Sequence, residues 1–383
     1  MEQNTLVLGT SGSGKSLTLK QWAIQDIYDN KGLIFFDFDG EEVDDLLLHI
    51  PPERVIDTAL FDVSDREFVT GFNVFDNVDP DDRPRTALSF VSAIKAITGY
   101  DSNTPILASY TYNAARLVLD NNYSLLELFY CLKKPGLRKE MLKHCEDGTI
   151  AEFWTDFETR PPIEQRQDTS SSRSNIEPFI TDVNLRNVIG QRQSGFQIKY
   201  ILSDRKILLI KLPRHILGSP KTRLLGLLFL TAIHSAAFHN KHPFTVYIDN
   251  GQELVSSTLL QLLTELRKQQ LFTVFTIQQL AQLKDFPLFN AAEQIVSFNT
   301  GIEDSERLRK TFLIGESSHL QLSDLDILEA YVKNGLNVHQ TTFTPEVWPT
   351  FPTAPNLIKA RNTFAKPRQS IERQINKYIK GLK

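Results

Sequence analysis

Sulfur is scarce in this sequence, which has two cysteines and two methionines among its 383 residues. Cys131 and Cys145 lie far apart, and no further Cys or His stands at ligand spacing around the first. Zinc sites and disulfide-rich secreted domains need more such residues at short spacings. The sequence therefore predicts neither, and both cysteines are expected to be ordinary helix residues.

Long apolar runs are also missing. The longest, such as 224–229 and 207–210, stop short of the roughly 18 to 20 apolar residues that a membrane span needs. The N-terminus has no basic stretch followed by an apolar one, and a cleaved leader would remove the motif that begins at residue 9. We expect no transmembrane segment and a cytoplasmic location.

Neither sign of charge dominates, since the net charge is −4. The charge is nevertheless uneven. Residues 351–383, here called the basic tail, carry eight basic residues and one acidic residue, or +7, which leaves about −11 on the rest. Such a tail indicates an anionic partner such as DNA, although a solvated terminal helix has the same composition.

Short apolar runs alternate with helical patterns, which is typical of an α/β protein with a parallel sheet. The predicted strands are 6–8, 33–37, 206–212, 245–248 and 271–277, and the predicted helices of the first half are 16–29 and 43–50. The three later strands are continuously apolar, as buried central strands are.

Residues 80–180 differ and predict helices at 85–97, 107–119 and 125–132. Gly99 is expected to end the first helix, and Ser124 with Glu127 forms a capping box for the third. The polar stretch 159–175 lacks periodicity and predicts a loop. The predicted domains are a first part of the core (1–80), an α-helical insertion (81–180), a second part of the core (181–350) and the basic tail (351–383).

The motif GTSGSGKS satisfies the P-loop pattern, follows an apolar strand and opens a helix. Its glycines permit positive φ, so backbone N–H groups can turn toward phosphate oxygens, and the helix N-terminus adds partial positive charge. Lys15 would reach the β- and γ-phosphates. The motif predicts ATP and Mg²⁺ as cofactors, bound by Gly9, Thr10, Ser11, Gly12, Ser13, Gly14, Lys15 and Ser16.

A carboxylate at the end of a neighbouring strand would complete the metal site. The apolar run 244–248 ends in Asp249, which we predict to hold Mg²⁺ together with Ser16; capping of the next helix is the alternative. The next residue is Asn250, which cannot accept a proton, so hydrolysis stays open. Glu253 is a candidate base if the backbone turns it inward.

Further candidates follow the later strands. Gln278 ends the run 271–277 and could sense the γ-phosphate from the carboxyl edge of the sheet. Arg267 could act as an arginine finger on a neighbouring subunit, with Arg309 as a second candidate, or it could simply be a charged helix end. The acidic cluster that begins at Asp37 is expected to be a solvated loop, although Asp37 could touch the nucleotide.

With these pieces placed, the sequence resembles the HerA/FtsK group of P-loop ATPases, and within it conjugative coupling proteins of the TraG/TraD kind. The likeness covers about residues 4 to 345. Besides the glycine-rich motif, it rests on Phe36–Glu41, Asp45–Leu47, Ile50–Pro51, Arg54–Val55, Leu60–Asp62, Gly71–Asn73, Arg186–Gln191, Lys206–Leu212, Gly218, Glu265–Lys268 and Ile277–Leu283.

The resemblance implies a RecA-like P-loop NTPase core with an inserted all-α domain. It also implies a ring, as a hexamer, that moves DNA through pore loops with ATP, in conjugation and type IV secretion or in genome packaging, alongside other proteins of those processes. Asn250 and Asn299 stand where the family carries a glutamate and an arginine near the γ-phosphate.

Two functions of different classes stay open. An ATP-driven DNA translocase accords with the full-length resemblance and the basic tail. A nucleotide-binding structural or regulatory subunit accords with Asn250 and Asn299. A small-molecule kinase accords less well, because no arginine-rich lid accompanies the motif.

Overall fold

The structure is a computed structural model that describes residues 2–98, 104–283, 287–312, 322–352 and 363–382. Its strands are β1 (Thr5–Leu8), β2 (Gly32–Asp37), β3 (Thr58–Asp62), β4 (Phe68–Val69), β5 (Ile207–Lys211), β6 (Phe244–Ile248), β7 (Leu271–Ile277), β8 (Gln294–Ser297), β9 (Glu329–Asn334), β10 (Asn337–Thr342) and β11 (Lys366–Pro367).

The α-helices are α1 (Lys15–Tyr28), α2 (Glu41–Leu48), α3 (Arg83–Thr98), α4 (Pro105–Asp120), α5 (Leu125–Cys131), α6 (Pro135–Leu142), α7 (Gly148–Thr159), α8 (Pro162–Asp168), α9 (Ser170–Thr181), α10 (Val183–Ile189), α11 (Ile198–Ser203), α12 (Arg214–Leu217), α13 (Ser219–Ala237), α14 (Ser257–Glu265), α15 (Leu288–Ala291), α16 (Ile302–Thr311) and α17 (Arg368–Gly381). Short 3-10 helices occupy Pro52–Asp57, Pro80–Asp82, Gly251–Leu254, Leu266–Gln269 and Leu280–Leu283.

The chain forms two compact units. The sheet unit comprises 1–61, 198–216 and 236–360, and the helical unit comprises 62–197, 217–235 and 361–383. The helices predicted between 80 and 180 all belong to the helical unit. The predicted domain boundaries stay a prediction.

One nine-stranded sheet organises the sheet unit, in the order β10-β9-β8-β1-β7-β6-β2-β5-β3. The pairs β1–β7, β1–β8, β7–β6, β6–β2 and β2–β5 are parallel, whereas β9 pairs antiparallel with both β8 and β10. The prediction of an α/β fold with a mostly parallel sheet is confirmed. Because parallel strands share a direction, the carboxyl ends of β1, β2, β5, β6 and β7 lie along one edge.

The strand runs are apolar because the central strands are buried on both faces. Every residue of β1, β2, β6 and β7 is buried. Leu19, Ile24 and Ile27 of α1 pack with Leu33 and Phe35 of β2 in one cluster that also includes α2. Burial of this kind contributes about 25 cal/mol per Å² of apolar surface, so packing fixes where the strand ends lie.

The helical unit confirms the predicted helices and corrects one prediction. α5 begins at the predicted capping box, with Ser124 and Glu127 bonded to each other's backbone positions. The stretch 159–175 is not a loop, because α8 and α9 occupy most of it. Its polar residues are held by hydrogen bonds rather than by an apolar stripe: buried Ser172 accepts a bond from Thr111, and Tyr110 donates to Asp168 at 2.8 Å. Gly99 lies outside the described residues.

The basic tail is folded within the part that the structure describes. β11 pairs antiparallel with β4, and Ile371 and Ile375 of α17 are buried while Arg373, Lys377 and Lys380 are exposed. Glu372 accepts a hydrogen bond from Asn187. The tail thus presents cations from one face of an amphipathic helix; Lys359, Arg361 and Lys383 lie outside the described residues.

The membrane-span and cysteine predictions have different outcomes. Among the described residues, no helix is long and apolar enough to cross a membrane. Both cysteines are free thiols. Cys131 ends α5 as expected, but Cys145 lies beyond the end of α6 and is not a helix residue.

Candidate nucleotide and magnesium site

The glycine-rich loop joins β1 to α1 at the carboxyl edge of the sheet. Gly12 and Gly14 have φ values of 78° and 106°, which side chains other than glycine rarely adopt. A Cβ on Gly14 would also come within 2.5 Å of the Leu328 side chain. The Leu328 amide donates to the Ser13 carbonyl, and the Thr10 amide donates to the Asn299 carbonyl at 2.7 Å. The loop is therefore held in shape from both sides.

Lys15 is buried in this loop and folds back across it. Its Nζ donates to the Thr10 carbonyl at 2.8 Å. Burial lowers the pKa of Lys15, and the negative charge of Asp249 opposes that shift. A buried ammonium bonded to one neutral carbonyl retains two further N–H donors for an anion.

Ser16 and Asp249 meet although they are 233 positions apart. The Ser16 hydroxyl lies 2.9 and 3.1 Å from the two carboxylate oxygens of Asp249, and Thr276 at the end of β7 donates to the same carboxylate at 2.8 Å. Burial raises the pKa of Asp249 to about 6. Among the described residues, no lysine or arginine is bonded to this carboxylate. A buried carboxylate beside hydroxyl groups suits a hard cation such as Mg²⁺.

Asn250 adopts a left-handed conformation, with φ of 54°, directly after Asp249. Its amide N–H donates to the Thr276 hydroxyl, and its side-chain nitrogen donates to Asp39 at 2.9 Å. Glu253 lies in the following 3-10 helix, where it forms an ion pair with Arg214 at 3.0 Å. Arg214 also binds Asp39, at 2.6 Å. The Glu253 carboxylate is therefore paired with Arg214. The role of Glu253 as a base stays a prediction.

A cavity of about 380 Å³ lies over the loop. Its lining brings Gln278 together with Lys15 and Ser16, and it adds Asp39 and Asn250. Its walls are Ser11, Gly12, Gly14, Lys15, Ser16, Leu17, Asp39, Asn250, Gln278, Ile327 and Leu328. Lys15, Ser16 and the polar residues after β6 and β7 thus face one space, and Asp249 lies behind Ser16, to which it is bonded.

A second hollow of about 220 Å³ adjoins this cavity along α1. Leu17 and Leu328 line both spaces, so the two are neighbours. Trp22 and Phe343 line the second hollow and pack edge to face at 5.6 Å. A flat aromatic group fits such a lining.

Other predicted residues lie elsewhere in the sheet unit. Arg267 precedes β7, at the edge opposite the glycine-rich loop, and pairs with Glu293. Arg309 lies in the last turn of α16.

Asp37 is not part of a solvated loop, because its buried carboxylate accepts hydrogen bonds from the amides of residues 39, 40 and 43. Asn299 holds the backbone of residues 323 and 325 instead of facing the cavity.

Sequence reasoning missed Thr276 and Arg214 and gave Asp39 no role. Thr276 offered a signal, since it is a hydroxyl near the end of an apolar strand beside the strand that carries Asp249. Arg214 and Asp39 offered none, because 175 positions separate them.

Comparison with protein-family models and with curated protein sequences finds no match. Solved structures do match. The plasmid coupling protein TrwB in complex with a non-hydrolysable ATP analogue is 18% identical, with a TM-score of 0.68 over 91% of this chain and 87% of that chain. TrwB has also been solved with ADP and Mg²⁺, with a TM-score of 0.67 over 92% and 87% at 18% identity. VirB4 of Thermoanaerobacter pseudethanolicus is 12% identical, with a TM-score of 0.62 over 90% of each chain.

These neighbours share the fold over nearly the whole chain. A conjugative coupling protein is the kind of protein that the sequence resembles, so the predicted likeness to such proteins and the predicted RecA-like core are confirmed at the level of the fold.

Proposed function

We propose that this chain is an ATP-driven motor that moves DNA in a transfer or packaging process. The observation that carries the proposal is the pairing of Ser16 with Asp249 beside Lys15, on a fold shared with a nucleotide-binding coupling protein. If Asp249 only capped the following helix, it would have no reason to contact the Ser16 hydroxyl of the glycine-rich loop.

The nucleotide would lie along α1. The loop amides and Lys15 would receive the phosphates, and Ser16 with Asp249 would hold Mg²⁺, which would supply positive charge beside them. The purine would reach the second hollow, where Trp22 and Phe343 offer aromatic surface. Gln278 would contact the γ-phosphate from the end of β7.

A second candidate function is a nucleotide-binding structural or regulatory subunit without useful turnover. Asn250 favours it, because an amide cannot accept the proton of the attacking water. The ion pair between Glu253 and Arg214 favours it as well, since that carboxylate is engaged elsewhere.

A steady-state ATPase assay with and without DNA separates the two functions. The motor predicts phosphate release above the background of Lys15→Ala protein and stimulation by DNA. Binding of ATP without release above that background, in either condition, would favour the regulatory subunit.

The exposed cations of α17 should bind DNA phosphates. Changing Arg373, Lys377 and Lys380 together to Gln removes three charges from the exposed face and leaves buried Ile371 and Ile375 intact. We expect weaker DNA binding, with a salt slope smaller by up to about 2.7, because each phosphate contact contributes about 0.9. Fluorescence anisotropy at several salt concentrations measures both.

A matched control removes the same charge elsewhere in the helical unit. Lys133, Lys139 and Lys143 are exposed lysines there, and their triple change to Gln should leave the salt slope unchanged. Equal slopes for the tail variant and the wild type would mean that α17 does not contact DNA.

Arg267 tests whether the motor acts as a ring. Because it lies at the edge opposite its own glycine-rich loop, it can serve only a neighbouring subunit's nucleotide. Mixing Arg267→Ala with wild type should then reduce the ATPase rate more steeply than the mutant fraction, since an arginine finger contributes about 10³ to 10⁵ in rate. Lys268→Ala, one position away, is the control; a linear loss would indicate independent subunits.

A further inference from the structure

The turn after β2 points a carboxylate into the phosphate cavity. Asp37 is fully buried, and its carboxylate accepts hydrogen bonds from three backbone amides of the turn, at 2.7 to 2.9 Å. These bonds fix the backbone that carries Asp39. The Asp39 side chain lines the cavity together with Lys15 and Gln278 and is half exposed.

Two polar side chains hold the Asp39 carboxylate in place. Asn250 donates to one oxygen at 2.9 Å, and Arg214 donates to the other at 2.6 Å. The three residues meet because β6, β2 and β5 are neighbours in the sheet, so the connections after them lie at one edge. A carboxylate oxygen accepts about two hydrogen bonds, so each Asp39 oxygen can accept one more, for example from a water molecule.

The other groups near the cavity are worse placed to act as a base. Asn250 has no proton-accepting group. Glu253 shares Arg214 with Asp39, but unlike Asp39 it does not line the cavity. Asp37 is buried and occupied by backbone amides. Among the described cavity residues, Asp39 supplies a carboxylate, and it lies within hydrogen-bond distance of the Asn250 side chain at the end of the neighbouring strand.

We propose that Asp39 is the catalytic base of ATP hydrolysis in this protein and that Asn250 positions it. The proposal rests on the proposed ATPase function. The oxygen of a water bound to Asp39 attacks the γ-phosphorus, and its proton passes to the Asp39 carboxylate. The bond between the γ-phosphorus and the bridging oxygen breaks, and the electron pair leaves with ADP. Half-exposed Asp39 then returns the proton to solvent.

Asp39→Asn tests the base directly. The amide still fits the turn and can accept a hydrogen bond, but it cannot take a proton, so we expect kcat to fall by about 10² to 10⁴, the usual contribution of a general base. Affinity for a fluorescent ATP analogue should stay within about threefold, and Asp39→Glu should retain part of the activity. Asp44→Asn removes a carboxylate of α2 that pairs with Lys211 and should leave kcat unchanged.

Substitutions of Asn250 test whether this residue positions Asp39. Asn250→Ala should lower kcat about tenfold with KM unchanged, because it removes one of the two contacts that hold Asp39 and leaves the glycine-rich loop and Lys15 intact. Asn250→Glu should not raise the rate, since a second carboxylate beside Asp39 repels it. If Asp39→Asn turns over like the wild type while Asn250→Glu raises the rate tenfold, the proposal is overturned and the ATPase function stands. If the wild type binds ATP but releases no phosphate above the Lys15→Ala background, both fail.

Discussion

Replacing Lys15 by alanine should weaken ATP binding at least tenfold. The substitution removes a buried ammonium that faces the cavity from within the glycine-rich loop, and charge-assisted bonds to phosphate are about twice as strong as neutral ones. The loop itself should keep its shape, because Gly9, Thr10 and Ser13 are held by backbone bonds that do not involve the lysine side chain. Titration with a fluorescent ATP analogue measures the loss.

Lys20→Ala is the matched control on the same helix. Lys20 pairs with Glu42 and Asp45 rather than facing the cavity, so its removal should leave the affinity unchanged. Equal affinities for Lys15→Ala and Lys20→Ala protein would show that the glycine-rich loop does not bind the nucleotide.

Asp249→Asn should have opposite effects on magnesium binding and on stability. Without the carboxylate, Mg²⁺ should no longer improve ATP affinity, a loss of at least tenfold. Without Mg²⁺ and nucleotide, the variant should be more stable than the wild type at pH 8, because burial raises the pKa of Asp249 to about 6 and thereby disfavours its ionised form in the folded protein. The gain in free energy of unfolding should be on the order of 1 to 3 kcal/mol, since one pKa unit corresponds to about 1.4 kcal/mol.

The sign of the stability effect depends on pH. The folded-state pKa lies above the unfolded value of 3.8, so the cost of ionising Asp249 is present in full above pH 6 and disappears below about pH 4. The difference in thermal midpoint between variant and wild type should therefore shrink as the pH falls. Asp26→Asn is the control, because that buried carboxylate pairs with Lys31 at 3.0 Å and its loss should destabilise the protein without changing the effect of Mg²⁺. Lower stability of Asp249→Asn at pH 8 would contradict the prediction.

The strands and helices that follow from the local pattern of apolar and capping residues were predictable from the sequence. Continuous apolar runs gave the central strands, since a strand buried on both faces carries no polar alternation. The capping box at Ser124 gave the start of α5. Helices α8 and α9 were missed for different reasons: α8 buries none of its residues, and the first buried residue of α9 is Ser172, whose contact with Thr111 leaves no apolar periodicity before Ile176.

The sequence by itself determined the glycine-rich loop, because a P-loop is built from eight consecutive residues whose spacing carries its chemistry. It also placed Asp249 and Gln278 at the ends of their strands. The tertiary structure alone decided which other side chains join them. Asp39 and Asn250 are 211 positions apart, and they meet only because β2 lies next to β6 in the sheet. Strand order is set by packing over the whole unit, so a carboxylate that looked like part of a solvated turn faces the phosphate cavity.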